Sequence, residues 1–181
     1  MRKLITQVGA ELGPVYGKYG KASLREKRTG YVNAARRAPW IVLVDLDHDA
    51  PCPPPLRSDW VPVQVPFLCF RVAVRAVEAW LLADADALAA FLGVSRNRIP
   101  RDPESLQDPK TAMVNLARAS RRTAIRADMV PRDGSGRPIG PAYASRLIEF
   151  ASSPWRPDIA AQRSDSLRRA LACLEKLTNV V

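Results

Sequence analysis

The sequence predicts an α/β layer followed by an α-helical extension, with residues 1–93 as the core and residues 94–181 as the extension packed on it. Three observations carry this reading. Ile41 to Val44 is an unbroken apolar run ending in Asp45, Leu46 and Asp47, the pattern of a strand buried on both faces that delivers acids at its carboxyl end. Val61 to Phe70 and Arg71 to Val74 are two further apolar runs, interrupted by Pro66, that read as extended chain rising to a second buried strand. Beyond Gly93 the texture becomes helical, with apolar residues at helix spacing between capping signals.

Taken in order, Leu4, Ile5 and Val8 mark the inward stripe of a helix over residues 2–8, ended by Gly9. Leu12 to Tyr19 is expected to hold a short strand among glycines, and Ser23 to cap a helix running through Ala35. Pro51-Cys-Pro-Pro-Pro-Leu56 reads as a stiff loop, because proline has no N–H to give a sheet interior. A helix begins at Ala76, stalls near Asp84 and resumes from an Asp86 N-cap to Leu92, before Gly93. Ser95 to Asp108 is a polar excursion. Asp108-Pro109 pairs an N-cap with proline in the first helical position, starting a helix to about Ser120 with Met113, Leu116 and Ala117 inward. Pro141 to Ala151 is a helix packing Leu147 and Phe150, and Ser164 or Asp165 caps a last one that uses Leu167, Leu171, Leu174 and Leu177.

A chain of 181 residues can bury one sizeable core but not two large domains. No apolar run reaches membrane-spanning length, and Met1-Arg2-Lys3-Leu4 leads into no signal-peptide core, so a cytoplasmic protein without membrane association is expected. Cys52, Cys69 and Cys173 are odd in number and outside any metal-finger spacing, which reads as reduced, structural thiols. The single histidine, His48, leaves zinc sites and triad chemistry little to work with.

The net charge of +10 favours polyanionic partners, and its distribution is more telling than its sum. Residues 1–37 carry nine basic and two acidic side chains, residues 38–95 three and seven, residues 96–137 ten and five, and residues 138–181 six and four. The one net-acidic stretch therefore holds Asp45, Asp47 and Glu78. An acidic centre flanked by basic segments suits a metal-dependent enzyme acting on nucleic acid; it equally suits solubility charge excluded from a buried middle.

Alternation along a strand sends Asp45 and Asp47 to one side and Leu46 into the core. Two carboxylates so close repel unless a cation or proton lies between them, and hard oxygen ligands suit Mg2+ or Mn2+. The plainer reading has Asp45 capping a turn, with Asp47 and Asp49 as solvated loop acids. Glu78 likewise has two readings, a first-turn acid favoured by the helix dipole or a third ligand among Val77, Trp80 and Leu81.

Ile41-Val-Leu-Val-Asp-Leu-Asp47 resembles the strand and Asp-x-Asp motif of the TOPRIM fold, shared by topoisomerases, bacterial primases and OLD-type nucleases. The string Arg75-Ala-Val-Glu-Ala-Trp-Leu-Leu-Ala-Asp84, with Ile99-Pro100, Asp108-Pro109-Lys110, Gly140-Pro141-x-Tyr143 and Ser166-Leu167, resembles a family of small stand-alone TOPRIM-like bacterial proteins of unknown function. Such proteins are often encoded beside an ABC/SMC-type ATPase, and some pairs belong to anti-phage defence. The resemblance implies a partly parallel sheet flanked by helices. TOPRIM domains usually open with a strand ending in a glutamate. Met1 is expected to fall inside the helix that follows that strand, so either the chain is shortened at its start or the glutamate's role falls to Glu78, Asp49 or a partner chain.

The expected function is a metal-dependent phosphodiesterase on DNA or RNA, with Asp45, Asp47, Asp49 and Glu78 as metal ligands. Asp45, Asp47 and Glu78 would be its catalytic acids, and Lys21, Arg71 and Arg75 would hold phosphate. The rival is a catalytically inactive TOPRIM-derived subunit that binds nucleic acid or an ATPase. Both leave room for a homo-oligomer.

Overall fold

Two strands and eleven α-helices make up the computed structural model, which describes residues 1–16 and 19–179. The chain is mixed α/β, and its strands β1 (Trp40–Asp45) and β2 (Leu68–Ala73) form one parallel pair. It divides into two compact units, Met1–Val74 with Ser166–Val181, and Arg75–Asp165. The last helix belongs to the unit that holds the sheet.

In the sheet unit the register sets Trp40 opposite Leu68 and Asp45 opposite Ala73. Alternation then gives the sheet two faces. Val42, Val44, Phe70 and Val72 point into a core closed by Tyr31 of α3 (Arg28–Ala34) and by Leu56 and Trp60 of α4 (Pro53–Trp60). Trp60 and Phe70 pack at 5.7 Å between ring centroids. Ile41, Leu43, Asp45, Cys69 and Arg71 lie on the other face, toward α11 (Asp165–Thr178), whose Ser166 Oγ accepts a hydrogen bond from Val74 N at 3.4 Å. At the amino end, α1 (Arg2–Gln7) buries Leu4 and Ile5.

Three expectations for this unit need correction. The proline run is a helix: Pro53, Pro54 and Pro55 fill the first turn of α4, where an N–H would have no intrahelical partner. The helix expected from Ser23 to Ala35 is two, α2 (Gly20–Glu26), whose N-cap is Tyr19, and α3, meeting at Lys27. No strand occurs among the described residues of 12–19; Gly17 and Lys18 lie outside the description.

The helical unit holds α5 (Val77–Ala83), α6 (Ala85–Leu92), α7 (Pro109–Arg118), α8 (Thr123–Met129), α9 (Tyr143–Ser152) and α10 (Pro157–Ala161). Gly93 ends α6 at φ +68, a left-handed conformation that costs glycine little. Asp108 caps α7 as expected, its Oδ1 accepting from Thr111 N at 2.9 Å. The cap of α6, however, is Asp84 rather than Asp86, which instead pairs with Arg96 at 3.0 Å. The helix expected to reach about Ser120 stops at Arg118, and Thr123 begins α8.

Gly140 shows why its site takes no side chain. A Cβ there would lie 2.5 Å from Met129 C and 2.7 Å from Val130 N, main-chain atoms that cannot swing aside. Gly140→Ala should therefore destabilise the fold by about 1–3 kcal/mol, read as a lower midpoint in urea. No helix among the described residues is long and apolar enough to cross a membrane.

Candidate functional site

β1 ends at Asp45, and the chain turns at once. Leu46 stays in the core, 1% exposed, with its N–H bonded to Ala73 O at 2.9 Å. Asp47 takes φ +48, a left-handed value that a short polar side chain tolerates. The strand alternation therefore stops before Asp47, and the acids that converge are Asp47 and Asp49.

They converge on Lys21 of α2. Its Nζ lies 3.0 Å from Asp47 Oδ2 and 2.7 Å from Asp49 Oδ2, and it donates a hydrogen bond to the Asp45 carbonyl oxygen. One ammonium thus sits among two carboxylates and a main-chain carbonyl. Burial alone would lower the Lys21 pKa, but hydrogen bonds and charge from Asp49 and Asp47 outweigh it and raise it above the ordinary value. The side chains of Asp47 and Asp49 are 52% and 50% exposed, so each ion pair is worth only about 0.2–1 kcal/mol.

Beside the cluster lies an open groove of about 450 Å³ lined by Lys21, Arg25, Glu26, Arg28, Asp49 and Trp60. Arg25 also pairs with Asp59 at 2.6 Å. Arg25 and Arg28 belong to the basic segment over residues 1–37. The spacing of Lys21 and Arg25, one helical turn apart, is the signal that could have joined them to the acids.

Arg71 is on β2, with its Nε buried. Glu78 and Arg75 belong to the helical unit. There the buried Glu78 carboxylate accepts a hydrogen bond from Tyr143 Oη at 3.1 Å. Burial, and then the Glu78 charge, push the Tyr143 phenol well above its ordinary range, which keeps it protonated and donating. Tyr143→Phe leaves that carboxylate short of a donor, so it should lower stability by about 1–3 kcal/mol, whereas Glu78→Gln keeps an acceptor and should cost less; urea melts of the pair test this.

As a cation site, the donors around Lys21 are all hard oxygens. Mg2+ is commonly held by one or two carboxylates while keeping several waters, and Asp47, Asp49 and the Asp45 carbonyl fit that requirement. Among the described residues, no group of three or more His, Cys, Asp or Glu side chains gathers as a metal set, so a cation here would lean on the carbonyl and on water.

No protein family, curated protein or solved structure matches the chain.

Proposed function

We propose that the protein is a divalent-cation-dependent phosphodiesterase acting on nucleic acid, built on a TOPRIM-like core. The observation that carries this is the Lys21 ammonium held jointly by Asp47, Asp49 and the Asp45 carbonyl: these oxygens already bind one cation. Asp47 and Asp49 would hold Mg2+ or Mn2+ in its place, with the Asp45 carbonyl oxygen as the third protein donor. The ion supplies Lewis acidity and a water of lowered pKa. Lys21, freed from its two weak pairs, would turn toward a phosphate, and Arg25 and Arg28 in the adjoining groove would hold the polyanion. Glu78, tied to Tyr143, would act by holding its own unit in shape. An ABC/SMC-type ATPase partner and a role in anti-phage defence belong to this proposal through the resemblance alone.

A second reading, the inactive binding subunit, draws on the same cluster: an ammonium already neutralises the acids without any metal. Cleavage separates the two. Single- and double-stranded DNA and RNA are incubated with Mn2+ and with either the wild-type chain or Asp47→Asn/Asp49→Asn. Cleavage by the wild type that is lost in the variant, with salt-dependent binding kept, supports the enzyme. Binding without cleavage by either protein supports the subunit, and cleavage that survives the double substitution removes these acids from the chemistry.

A further inference from the structure

Residues 16–28 carry five basic side chains and one acidic one, interleaved with two tyrosines. Both rings face solvent: Tyr16 is 65% exposed and Tyr19 82%. Each is also backed by a neighbour. Tyr16 stacks on Trp40 of β1, with ring centroids 5.4 Å apart and planes 23° from parallel. The Lys27 ammonium lies over the Tyr19 ring, 5.9 Å from its centroid. A ring steadied by a second ring or by a cation, with so much of its surface left open, is suited to stack a further flat group. Three residues along the chain separate the two tyrosines, which puts their Cα atoms at most about 11 Å apart. One short segment of an extended ligand can therefore lie on both.

This pair of rings adjoins the candidate site. Tyr19 stands two residues before Lys21, whose Nζ lies 3.0 Å from Asp47 Oδ2 and 2.7 Å from Asp49 Oδ2. Arg25 and Arg28 line the groove beside that lysine, and both are exposed, as is Lys27. Open aromatic faces and cations thus alternate along one stretch of surface that ends at the two carboxylates.

We propose that the polyanion taken by this site is single-stranded nucleic acid, with unpaired bases stacked on Tyr16 and Tyr19 and the phosphates led along α2 to Lys21, Asp47 and Asp49. The inference rests on the nucleic-acid reading above and narrows its substrate class. A duplex keeps its base faces inside its own stack and shows a protein only phosphates and groove edges, so an exposed ring gains little from it. An unpaired strand presents a π-face at every base, and stacking then adds to the phosphate contacts whatever the sequence.

Fluorescence anisotropy on the full chain tests this, with labelled oligo(dT), oligo(rU) and a DNA duplex of equal length, in buffer free of divalent metal so that binding is read apart from cleavage. Both single strands should bind about tenfold or more tighter than the duplex. Tyr16→Ala/Tyr19→Ala should lose about tenfold or more on the single strands. The same variant should leave the duplex affinity and the salt slope unchanged, since it removes no phosphate contact. Tyr16→Phe/Tyr19→Phe keeps the rings and should bind like the wild type, whereas Arg25→Ala/Arg28→Ala should flatten the salt slope. Equal affinity for strand and duplex overturns the inference and leaves the nucleic-acid reading standing. So does an alanine variant with an unchanged circular dichroism spectrum that holds single strands as tightly as the wild type. Absence of salt-dependent binding to all three ligands overturns both.

Discussion

Replacing Asp84 by alanine is expected to cost the helical unit about 2–4 kcal/mol, from a lost helix cap and an unmet main-chain N–H. The carboxylate is fully buried. Its Oδ2 accepts from Arg156 N at 2.9 Å and Nε at 3.0 Å, its Oδ1 from Arg156 Nη2 at 2.6 Å, and Oδ1 also caps α6 through Ala87 N at 3.4 Å. One side chain thus joins the α5–α6 corner to the start of α10. Alanine removes the cap and leaves the Arg156 main-chain N–H without this acceptor. Burial pushes the Asp84 carboxyl up, but the Arg156 hydrogen bonds more than offset it and hold the pKa below the ordinary 3.8. A carboxyl depressed on folding contributes fully above its unfolded value, and that contribution is lost as pH falls through the lower folded value. Urea midpoints should therefore fall on acidification below pH 4 or so, and Asp84→Asn should flatten that part of the profile. A midpoint that Asp84→Ala leaves within error of wild type would remove Asp84 from the unit's framework.

Lys21→Met is expected to tighten Mn2+ binding by about tenfold. Two half-exposed ion pairs together hold the ammonium by roughly 0.4–2 kcal/mol, and each 1.4 kcal/mol is a factor of about ten. Removing the competing charge leaves Asp47, Asp49 and the Asp45 carbonyl open to the divalent ion. Cleavage should move the other way if the proposed role holds, because Lys21 also lines the groove proposed to take phosphate. Tighter metal with slower cleavage would separate a working lysine from a mere counter-ion; unchanged metal affinity would show that the ammonium and the ion do not share these oxygens.

Much of the layout was legible in the sequence because its signals were local. The apolar run before Asp45 is β1, Asp108-Pro109 opens α7, and Gly93 closes α6. The proline run misled because prolines crowd the first turn of a helix as readily as they stiffen a loop. The cap of α6 passed to Asp84 for a tertiary reason, since Arg156 holds that carboxylate in place from 72 residues away. At the site, residue types pointed to the acids and to Lys21, but their grouping did not follow from alternation. The strand ends at Asp45 and Asp47 turns left-handed, so Asp49 rather than the Asp45 side chain shares the lysine with Asp47.

Mn2+ titration by calorimetry of the wild-type chain beside Asp47→Asn/Asp49→Asn tests the cation site most directly. Micromolar-to-millimolar binding by the wild type, tighter in Lys21→Met and absent from the double variant, is the expected result. No binding by either the wild-type or the Lys21→Met chain would contradict it.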